Sequence, residues 1–264
     1  GALLGRARHL YGCAAVATGH YARVDGVADE SAPDGLRFRL LRGADTHKDQ
    51  SYFLYGLRQD QLRHVRFPLG ELTKPEVRDV ARRHGLATAE KAESQEICFV
   101  PSGDYRATLR EKAGWQPLAG PLLDTDGTRV GEHRGAAAYT VGQRSGLGVA
   151  LGERRYVARI DAAANLVTLG RREDLNRREI EVEQVSFVAG EPPSATGFHA
   201  EVQIRHRAEP VPGRLSRIGE RRWQVTLERP AWAPAPGQAA VFYEGDEVIG
   251  GGRIAIANPI EGNA

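Results

Sequence analysis

The alternation of apolar and polar residues divides the chain into an N-terminal α/β part and a C-terminal part built from short strands. Residues 13–19, CAAVATG, form a short apolar run that ends in glycine, which is typical of a buried parallel strand. Residues 58–66 have a helical pattern, and residues 94–100, SQEICFV, predict the next strand. A short helix is predicted to follow, with Ser102 or Asp104 as its cap.

The clearest helix signal covers residues 73–85, TKPEVRDVARRHG. Thr73 is expected to cap the N-terminus, Glu76 to complete a capping box, and Pro75 to occupy the first turn. Gly85 marks the C-terminal end, because glycine adopts the left-handed conformation that ends many helices.

After residue 115 the pattern changes to short strands separated by glycine turns. Residues 121–131 predict a hairpin with Asp126-Gly127 at its turn, and residues 156–170 predict a second hairpin. Residues 189–197, AGEPPSATG, have the composition of a linker. The segments that then predict barrel strands are residues 199–207, 221–228, 238–246 and 247–255.

The first barrel segment shows the alternation expected of a strand with one buried face. Its apolar face is formed by Ala200, Val202 and Ile204, and its polar face by Glu201, Gln203, Arg205 and Arg207. The predicted fold class is therefore α/β, followed by two small β domains of which the last is a β-barrel. We expect the domains to cover residues 1–114, 115–180 and 181–264.

Composition narrows the function classes only slightly. Hydrophobic residues make up 41% of the 264 and charged residues 27%, and the net charge of +2 permits a nucleic-acid partner only through local positive charge. No segment approaches the roughly 18 apolar residues of a membrane span, so a cytoplasmic location is the default expectation. The chain has no methionine and begins in an amphipathic helical pattern, which suggests that an N-terminal part is missing.

Cys98 is one of only two cysteines, so a disulfide scaffold is excluded. It lies between Ile97 and Phe99, where a small buried hydrophobe would fit. The polar residues 94–96 precede it, however, and a thiolate at such a strand end can react if positive charge lies nearby. The local pattern leaves both interpretations open.

Three further motifs could carry chemistry, and each has a plainer explanation. ATGHY, residues 17–21, places a glycine after a predicted strand, where a ligand could approach the backbone, but His20 could equally be an ordinary loop histidine. HKDQSYFLY, residues 47–55, could bind phosphates and sugars, or it could form a solvated turn before a helix. YTVGQRSGLGVALG, residues 139–152, lacks a full dinucleotide fingerprint, which favours a β-turn.

Taken together and in order, the motifs resemble one family over essentially the whole chain, that of the bacterial tRNA-specific 2-thiouridylases. The segments that carry the resemblance are ATGHYARV, KDQSYFLYGL, FPLGELTKPEVRDVAR, SQEICFVPSGDY, YTVGQRSGLGV and PGQAAVFYEGDEVIGGGRI. The resemblance implies that the first domain is part of an ATP-pyrophosphatase of the adenine-nucleotide hydrolase type.

The resemblance also implies a reaction. ATP adenylates the C2 oxygen of the wobble uridine, and a persulfide sulfur then attacks C2 and displaces AMP. Cys98 corresponds to the cysteine of the SQ-x-ICF motif that carries this sulfur. A second cysteine, upstream in the family, helps to release the sulfur and ends disulfide-bonded to the first.

Further site residues follow from the same resemblance. Gly19 would contact ATP, while His20 and the KDQ residues Lys48, Asp49 and Gln50 would contact tRNA. In the barrel, the resemblance assigns tRNA contacts to Arg205, to His206, where tyrosine is usual, and to Gln238.

The expected cosubstrate is ATP with Mg²⁺, and no tightly bound metal is expected. The expected partners are the tRNAs for Glu, Gln and Lys and a sulfur-donor protein of a cysteine desulfurase relay, with the protein itself a monomer. The pyrophosphate loop, the base-contacting segment and the second catalytic cysteine of the family would precede Gly1. We therefore expect the chain alone to be inactive, and Cys13 to be a buried small hydrophobe rather than that second cysteine.

Two other functions stay open. A non-catalytic RNA-binding module would use the two β domains and leave Cys98 incidental. Another ATP-pyrophosphatase that adenylates a different substrate would share the nucleotide-binding fold, but it should lack the combination of SQ-x-ICF and the PGQ barrel segment.

Overall fold

The computed structural model describes residues 2–32, 34–90 and 116–255. The described residues fall into two compact units. The first draws on Gly1–Glu90, Arg178–Ala231 and Pro236–Ala264, and the second on Lys91–Arg177 and Trp232–Ala235. The three-domain boundaries expected from the sequence stay a prediction. No helix among the described residues has both the length and the apolar character needed to cross a membrane.

The N-terminal part of the first unit is mixed α/β. Its elements are α1 (Ala2–Tyr11), β1 (Val16–Ala17), β2 (Ala22–Ala28), β3 (Leu36–Arg42), α2 (Ser51–Leu54), α3 (Gln59–Leu62), β4 (Val65–Arg66) and α4 (Lys74–Arg83). The buried parallel strand predicted in residues 13–19 is confirmed only in its pairing: β1 covers Val16–Ala17 and pairs with β4 in parallel, but neither residue is buried. The helix predicted over residues 58–66 is confirmed only in α3, because residues 65–66 pair with β1 instead of continuing the helix.

Helix α4 confirms the predicted capping pattern. The backbone N–H and the hydroxyl of Thr73 both donate to the Glu76 carboxylate at 2.7 Å. These hydrogen bonds lower the pKa of Glu76, since they favour its charged form. Gly85 follows the helix with φ +63°, the left-handed conformation expected at its end.

The expectation that Cys13 is buried is wrong, because its side chain is exposed. The chain leaves α1 at Tyr11 and turns through Gly12, whose φ is +63°. Cys13 therefore lies in the connection before β1, whose hydrogen bonding begins only at Val16. Its thiol is 3.9 Å from the carbonyl oxygen of Tyr11.

The second unit contains a four-stranded sheet. Its strands are β5 (Gly120–Leu123), β6 (Arg129–His133), β7 (Tyr156–Asp161) and β8 (Leu166–Gly170), in the order β6-β5-β8-β7. Both predicted hairpins are confirmed, as β5 pairs antiparallel with β6 and β7 with β8. Gly127 at the first turn has φ +83°. The core of this sheet includes Leu122, Leu147, Val157 and Val167.

Six strands of the first unit close into a β-barrel. They are β9 (Asn176–Phe187), β10 (Gly197–Gln203), β11 (Val211–Arg217), β12 (Trp223–Trp232), β13 (Ala239–Glu244) and β14 (Glu247–Ile254). The strand order is β13-β10-β11-β12-β9-β14, and pairing of β13 with β14 completes the circle. The predicted barrel is confirmed, although the linker predicted over residues 189–197 is a loop within the barrel that leads from β9 into the first residue of β10.

An aromatic cluster fills the barrel interior. The rings of Phe187, Phe198 and Trp223 pack edge to face with centroids 5.4 to 5.9 Å apart. Ala200 and Val202 point into the same core, as their alternation predicts. Strand β10 ends at Gln203, earlier than the predicted 207, so the residues after it form a turn.

The barrel sheet is extended by a hairpin from the N-terminal part. Strands β2 and β3 pair antiparallel, and β3 joins the barrel where Leu41 pairs with Glu247 of β14. The guanidinium of Arg37 also donates to the Glu247 carboxylate at 2.6 Å. The N-terminal part and the barrel are therefore hydrogen-bonded into one eight-stranded sheet.

Gly70 gives a test of the packing between β2 and the segment before α4. A Cβ at this position would overlap the carbonyl oxygen of Ala22 and lie 2.8 Å from its carbonyl carbon. We expect Gly70→Ala to lower the free energy of unfolding by about 1–3 kcal/mol, because backbone must move to make room. Urea denaturation of purified protein measures the change.

Gly56→Ala is the matched control, since a Cβ there meets no atom within 4 Å. It should leave the stability unchanged or raise it slightly. Equal stability of the two variants would contradict the close approach of Gly70 to β2.

Candidate functional site

The carboxylate of Asp49 is the centre of a hydrogen-bond cluster in the first unit. It accepts from the backbone N–H groups of Gly43 at 2.9 Å and Ser51 at 3.0 Å. It also accepts from the Ser51 hydroxyl at 2.9 Å and from the Arg42 guanidinium at 3.2 Å. The Asp49 side chain is only 10% exposed, so these donors replace water around the charge. The turn of the KDQ motif is thereby held in one conformation.

Arg42 links this turn to the barrel. Its guanidinium carbon lies 3.6 Å from the ring centroid of Tyr243 in β13, and its Nη1 donates to Gln203 of β10 at 3.3 Å. The hydroxyls of Ser51 and Tyr243 are 3.2 Å apart. Burial raises the pKa of Tyr243 to about 12, so the phenol stays protonated at neutral pH. Gln203, on the polar face of its strand, is buried as part of this cluster.

Gln50 joins the KDQ turn to the ATGHY loop. Its side-chain oxygen accepts from the backbone N–H of Tyr21 at 3.0 Å, and the backbone N–H of Gln50 donates to the Tyr21 carbonyl at 2.8 Å. In the same loop Gly19 is exposed, and His20 forms a 2.9 Å hydrogen bond with Thr18. The backbone at Gly19 is therefore accessible, as the predicted ATP contact requires.

The turn after β10 lies against the KDQ turn. Nε2 of His206 donates to the carbonyl oxygen of Asp49 at 3.2 Å. Nε of Arg205 donates to the side-chain oxygen of Gln238 at 3.2 Å, and the Gln203 amide donates to the Arg205 carbonyl at 3.1 Å. Partial burial lowers the pKa of Arg205 below its ordinary value. The structure thus brings the KDQ residues together with the three predicted barrel residues.

Phe53 is part of this surface, although no sequence motif predicts a role for it. It is 57% exposed, and its ring centroid lies 4.6 Å from that of His206. His206 also lines a cavity of about 280 Å³, together with Arg42 and His47 among others. Phe53 belongs to the segment HKDQSYFLY. Because it is an apolar residue in a helical pattern, the sequence predicts a core position for it. Only the three-dimensional structure reveals that this ring faces solvent.

The ring of Tyr52 packs against the aromatic rings of this surface. The Tyr52 hydroxyl donates to the carbonyl oxygen of Ala239 at 2.8 Å, and burial raises the pKa of Tyr52 to about 12. Tyr52 therefore packs as a neutral phenol against the exposed ring of Phe53 and the half-buried ring of His206.

Cys98 lies outside the described residues. Within residues 2–32, 34–90 and 116–255, no group of three or more His, Cys, Asp and Glu side chains could hold a metal ion.

Asp49→Asn tests whether the carboxylate organises the cluster. The substitution keeps the shape but removes the charge that faces Arg42 and replaces one acceptor with a donor. We expect the free energy of unfolding to fall by about 1–3 kcal/mol, measured by urea denaturation. Asp60→Asn, at an exposed position of α3, removes the same charge and should change stability by no more than about 0.5 kcal/mol. Equal effects at the two positions would contradict an organising role for Asp49.

Comparison with known proteins gives the same order of domains. The family described as tRNA methyl transferase HUP domain matches residues 1–102. The tRNA methyl transferase PRC-barrel domain matches residues 107–171, and the aminomethyltransferase beta-barrel domain matches residues 177–254. These matches confirm the predicted fold class, an α/β domain followed by two β domains.

Whole-chain relatives share one name. The chain is 51% identical to the tRNA-specific 2-thiouridylase MnmA of Chloroflexus aggregans over 254 residues, covering 96% of this chain and 68% of the relative. It is 49% identical to the protein of the same name from Roseiflexus castenholzii, covering 96% and 70%. For the protein of that name from Geobacter metallireducens the identity is 47%, covering 97% and 67%. The chain therefore belongs to the tRNA-specific 2-thiouridylase family.

Proposed function

We propose that the protein forms 2-thiouridine at the wobble position of tRNA by ATP-dependent sulfur transfer, with Cys98 as the carrier of the sulfur. The observation that carries this proposal is the 51% identity to a tRNA-specific 2-thiouridylase across 96% of the chain. The surface around Asp49 supports it, because that surface gathers the KDQ and barrel residues for which an RNA contact is expected.

The proposed reaction has three steps. The C2 oxygen of uridine attacks the α-phosphorus of ATP, and pyrophosphate leaves. The terminal sulfur of a persulfide on Cys98 then attacks C2, and the C–O bond breaks to release AMP. A second cysteine thiolate finally attacks Cys98 sulfur, which breaks the S–S bond, leaves 2-thiouridine and joins the two cysteines in a disulfide.

ATP enters this proposal as a substrate. The exposed backbone of Gly19 would contact it, since the nearest atom to a Cβ built there is the Leu69 side chain at 3.7 Å. Mg²⁺ would accompany the phosphates of ATP as their counter-ion, and no tightly bound metal is proposed.

The proposed tRNA surface has two kinds of residue. His20, Lys48, Arg205, His206 and Gln238 would contact the RNA, through charge, hydrogen bonds and ring faces. The exposed ring of Phe53 beside His206 would add a stacking surface for an unpaired base, as in other single-stranded RNA sites.

Asp49 and Gln50 would contribute mainly by holding that surface in place. The Asp49 carboxylate already accepts hydrogen bonds from Gly43, Ser51 and Arg42. The Gln50 side-chain oxygen accepts a hydrogen bond from the Tyr21 N–H, which leaves the side-chain NH₂ group of Gln50 to donate to RNA.

The substrates would be the tRNAs for Glu, Gln and Lys, and the sulfur would come from a donor protein of a cysteine desulfurase relay. The protein would act as a monomer in the cytoplasm. Its domains would cover residues 1–114, 115–180 and 181–264.

Cys98→Ser tests the assigned sulfur carrier. After incubation with a cysteine desulfurase, cysteine and the unmodified chain, mass spectrometry of peptides should find one additional sulfur atom on Cys98. The Cys98→Ser variant should carry none, because serine forms no persulfide, yet it should bind tRNA with unchanged affinity in fluorescence anisotropy.

Cys13→Ser is the matched control, since Cys13 is an exposed thiol and the only other cysteine. It should keep the persulfide on Cys98. A persulfide found on Cys13 alone would contradict the assignment. Strong tRNA binding without any persulfide on Cys98 would favour a non-catalytic RNA-binding module, and ATP hydrolysis without tRNA binding would favour another ATP-pyrophosphatase.

A further inference from the structure

A cavity of the second unit lies in the YTVGQRSGLGVALG motif, to which no other role is assigned. Its volume is about 510 Å³, and residues between 144 and 155 line it. Much of this lining is exposed, including Arg144, Gly148 and Arg154. The cavity is therefore an open recess, suited to part of a larger ligand.

Hydrogen bonds fix the near end of the lining loop. The N–H of Gly142 donates to the carbonyl of Val157 at 2.8 Å, and the N–H of Val157 donates to the Gln143 carbonyl at 2.9 Å. The Gln143 side chain accepts from the Thr140 N–H at 3.1 Å and donates to the Ser145 carbonyl at 2.9 Å. The backbone that carries Arg144 is thus held before any ligand arrives.

Apolar contacts fix the middle of the same loop. Leu147 is buried in the core of the second unit, and Val149 and Leu151 pack against that core. Between these anchors, Gly146 and Gly148 have φ values of +74° and +75°. Neither glycine N–H donates a hydrogen bond within the described part of the chain.

Three arginines supply the charge of the recess. Within the described ranges, Arg144 and Arg154 form no ion pair. Arg155 is mostly buried, with 18% of its side chain exposed, and its Nε is a buried donor without a hydrogen-bond partner. Such a donor costs free energy unless a ligand or water accepts from it.

The acidic side chain at the recess is already neutralised. Glu153 pairs with the Nη2 of Arg155 and, at 3.4 Å, with the Nε of Arg171. Arg144 and Arg154 therefore leave the recess with an excess of positive charge. Guanidinium groups and free backbone N–H groups together match the several acceptor oxygens of a phosphate.

We propose that this recess binds a backbone phosphate of the tRNA. Arg144 and Arg154 contact the phosphate oxygens, and the Nε of Arg155 donates to the same group. The inference rests on the proposed function, which supplies an RNA ligand, and it adds a phosphate contact in the second unit to the surface around Asp49. Its contribution is to affinity and placement and is independent of RNA sequence.

The test measures tRNA affinity against salt concentration for the unmodified chain and for Arg144→Ala/Arg154→Ala. Each lost phosphate contact lowers the slope of log K against log salt by about 1, so the double variant should lose about 1 to 2 in slope. Its affinity at low salt should fall about tenfold or more, because counterion release is reduced. Fluorescence anisotropy with labelled tRNA gives both quantities.

Arg129→Ala/Arg134→Ala is the matched control, since both arginines are exposed in the second unit and neither lines the recess. Its slope and affinity should stay close to those of the unmodified chain. Equal losses in the two double variants would overturn the proposal, because they would reflect net charge alone. Unchanged binding in Arg144→Ala/Arg154→Ala would also overturn it.

A second measurement separates RNA phosphate from free phosphate. Inorganic phosphate, added at constant ionic strength against chloride, is expected to shift the NMR signal of the Arg155 Nε–H, and tRNA is expected to shift the same signal. A shift with inorganic phosphate but not with tRNA would overturn the RNA assignment. Absence of any salt-dependent tRNA binding by the unmodified chain would contradict the proposed function, whereas normal tRNA binding with no shift at Arg155 would contradict this site alone.

Discussion

The burial of one carboxylate, that of Asp49, governs the arrangement of the candidate RNA surface. A carboxylate removed from water is costly unless donors surround it, and here the donors come from the end of β3, from Gly43 directly after it and from the start of α2. Arg42 then carries the connection onward to Tyr243 and Gln203 of the barrel. The position of the exposed groups is thus set by residues that are themselves largely hidden.

The arrangement separates two tasks that a single sequence motif combines. Asp49 and Gln50 make internal hydrogen bonds, to Gly43 and Tyr21 among others. His206 and Phe53 present ring surfaces at the same place. A motif residue at a candidate binding surface can therefore act by positioning its neighbours, and its substitution would disturb several contacts at once.

Periodicity and turn chemistry were sufficient for much of the fold. The capping box at Thr73, the hairpin at Gly127 and the alternation from Ala200 to Val202 all depend on interactions within a few residues, and all are confirmed. Strand β11 was not predicted, because Pro212 and Gly213 weaken its strand signal.

The features that escaped prediction depend on distant partners. The position of the β2–β3 hairpin depends on its pairing with β14, and the burial of Gln203 depends on its contact with Arg42. Burial of Cys13 is expected from its place in the predicted strand before TGHY, but hydrogen bonding of β1 begins three residues later. The residues of the candidate site came from the family resemblance, since charge and spacing alone left each motif open to a plainer explanation.

The eight-stranded sheet can be completed only late in synthesis of the chain. Arg37 and its partner Glu247 are 210 residues apart in the chain, so at ordinary translation rates the N-terminal hairpin waits on the order of 10 to 40 s for its neighbouring strand. During that interval the edge of β3 that will pair with β14 has no partner strand, while the sheet of the second unit, whose strands are close in sequence, can already form. The nascent chain must therefore protect an open strand edge until its last barrel strand emerges.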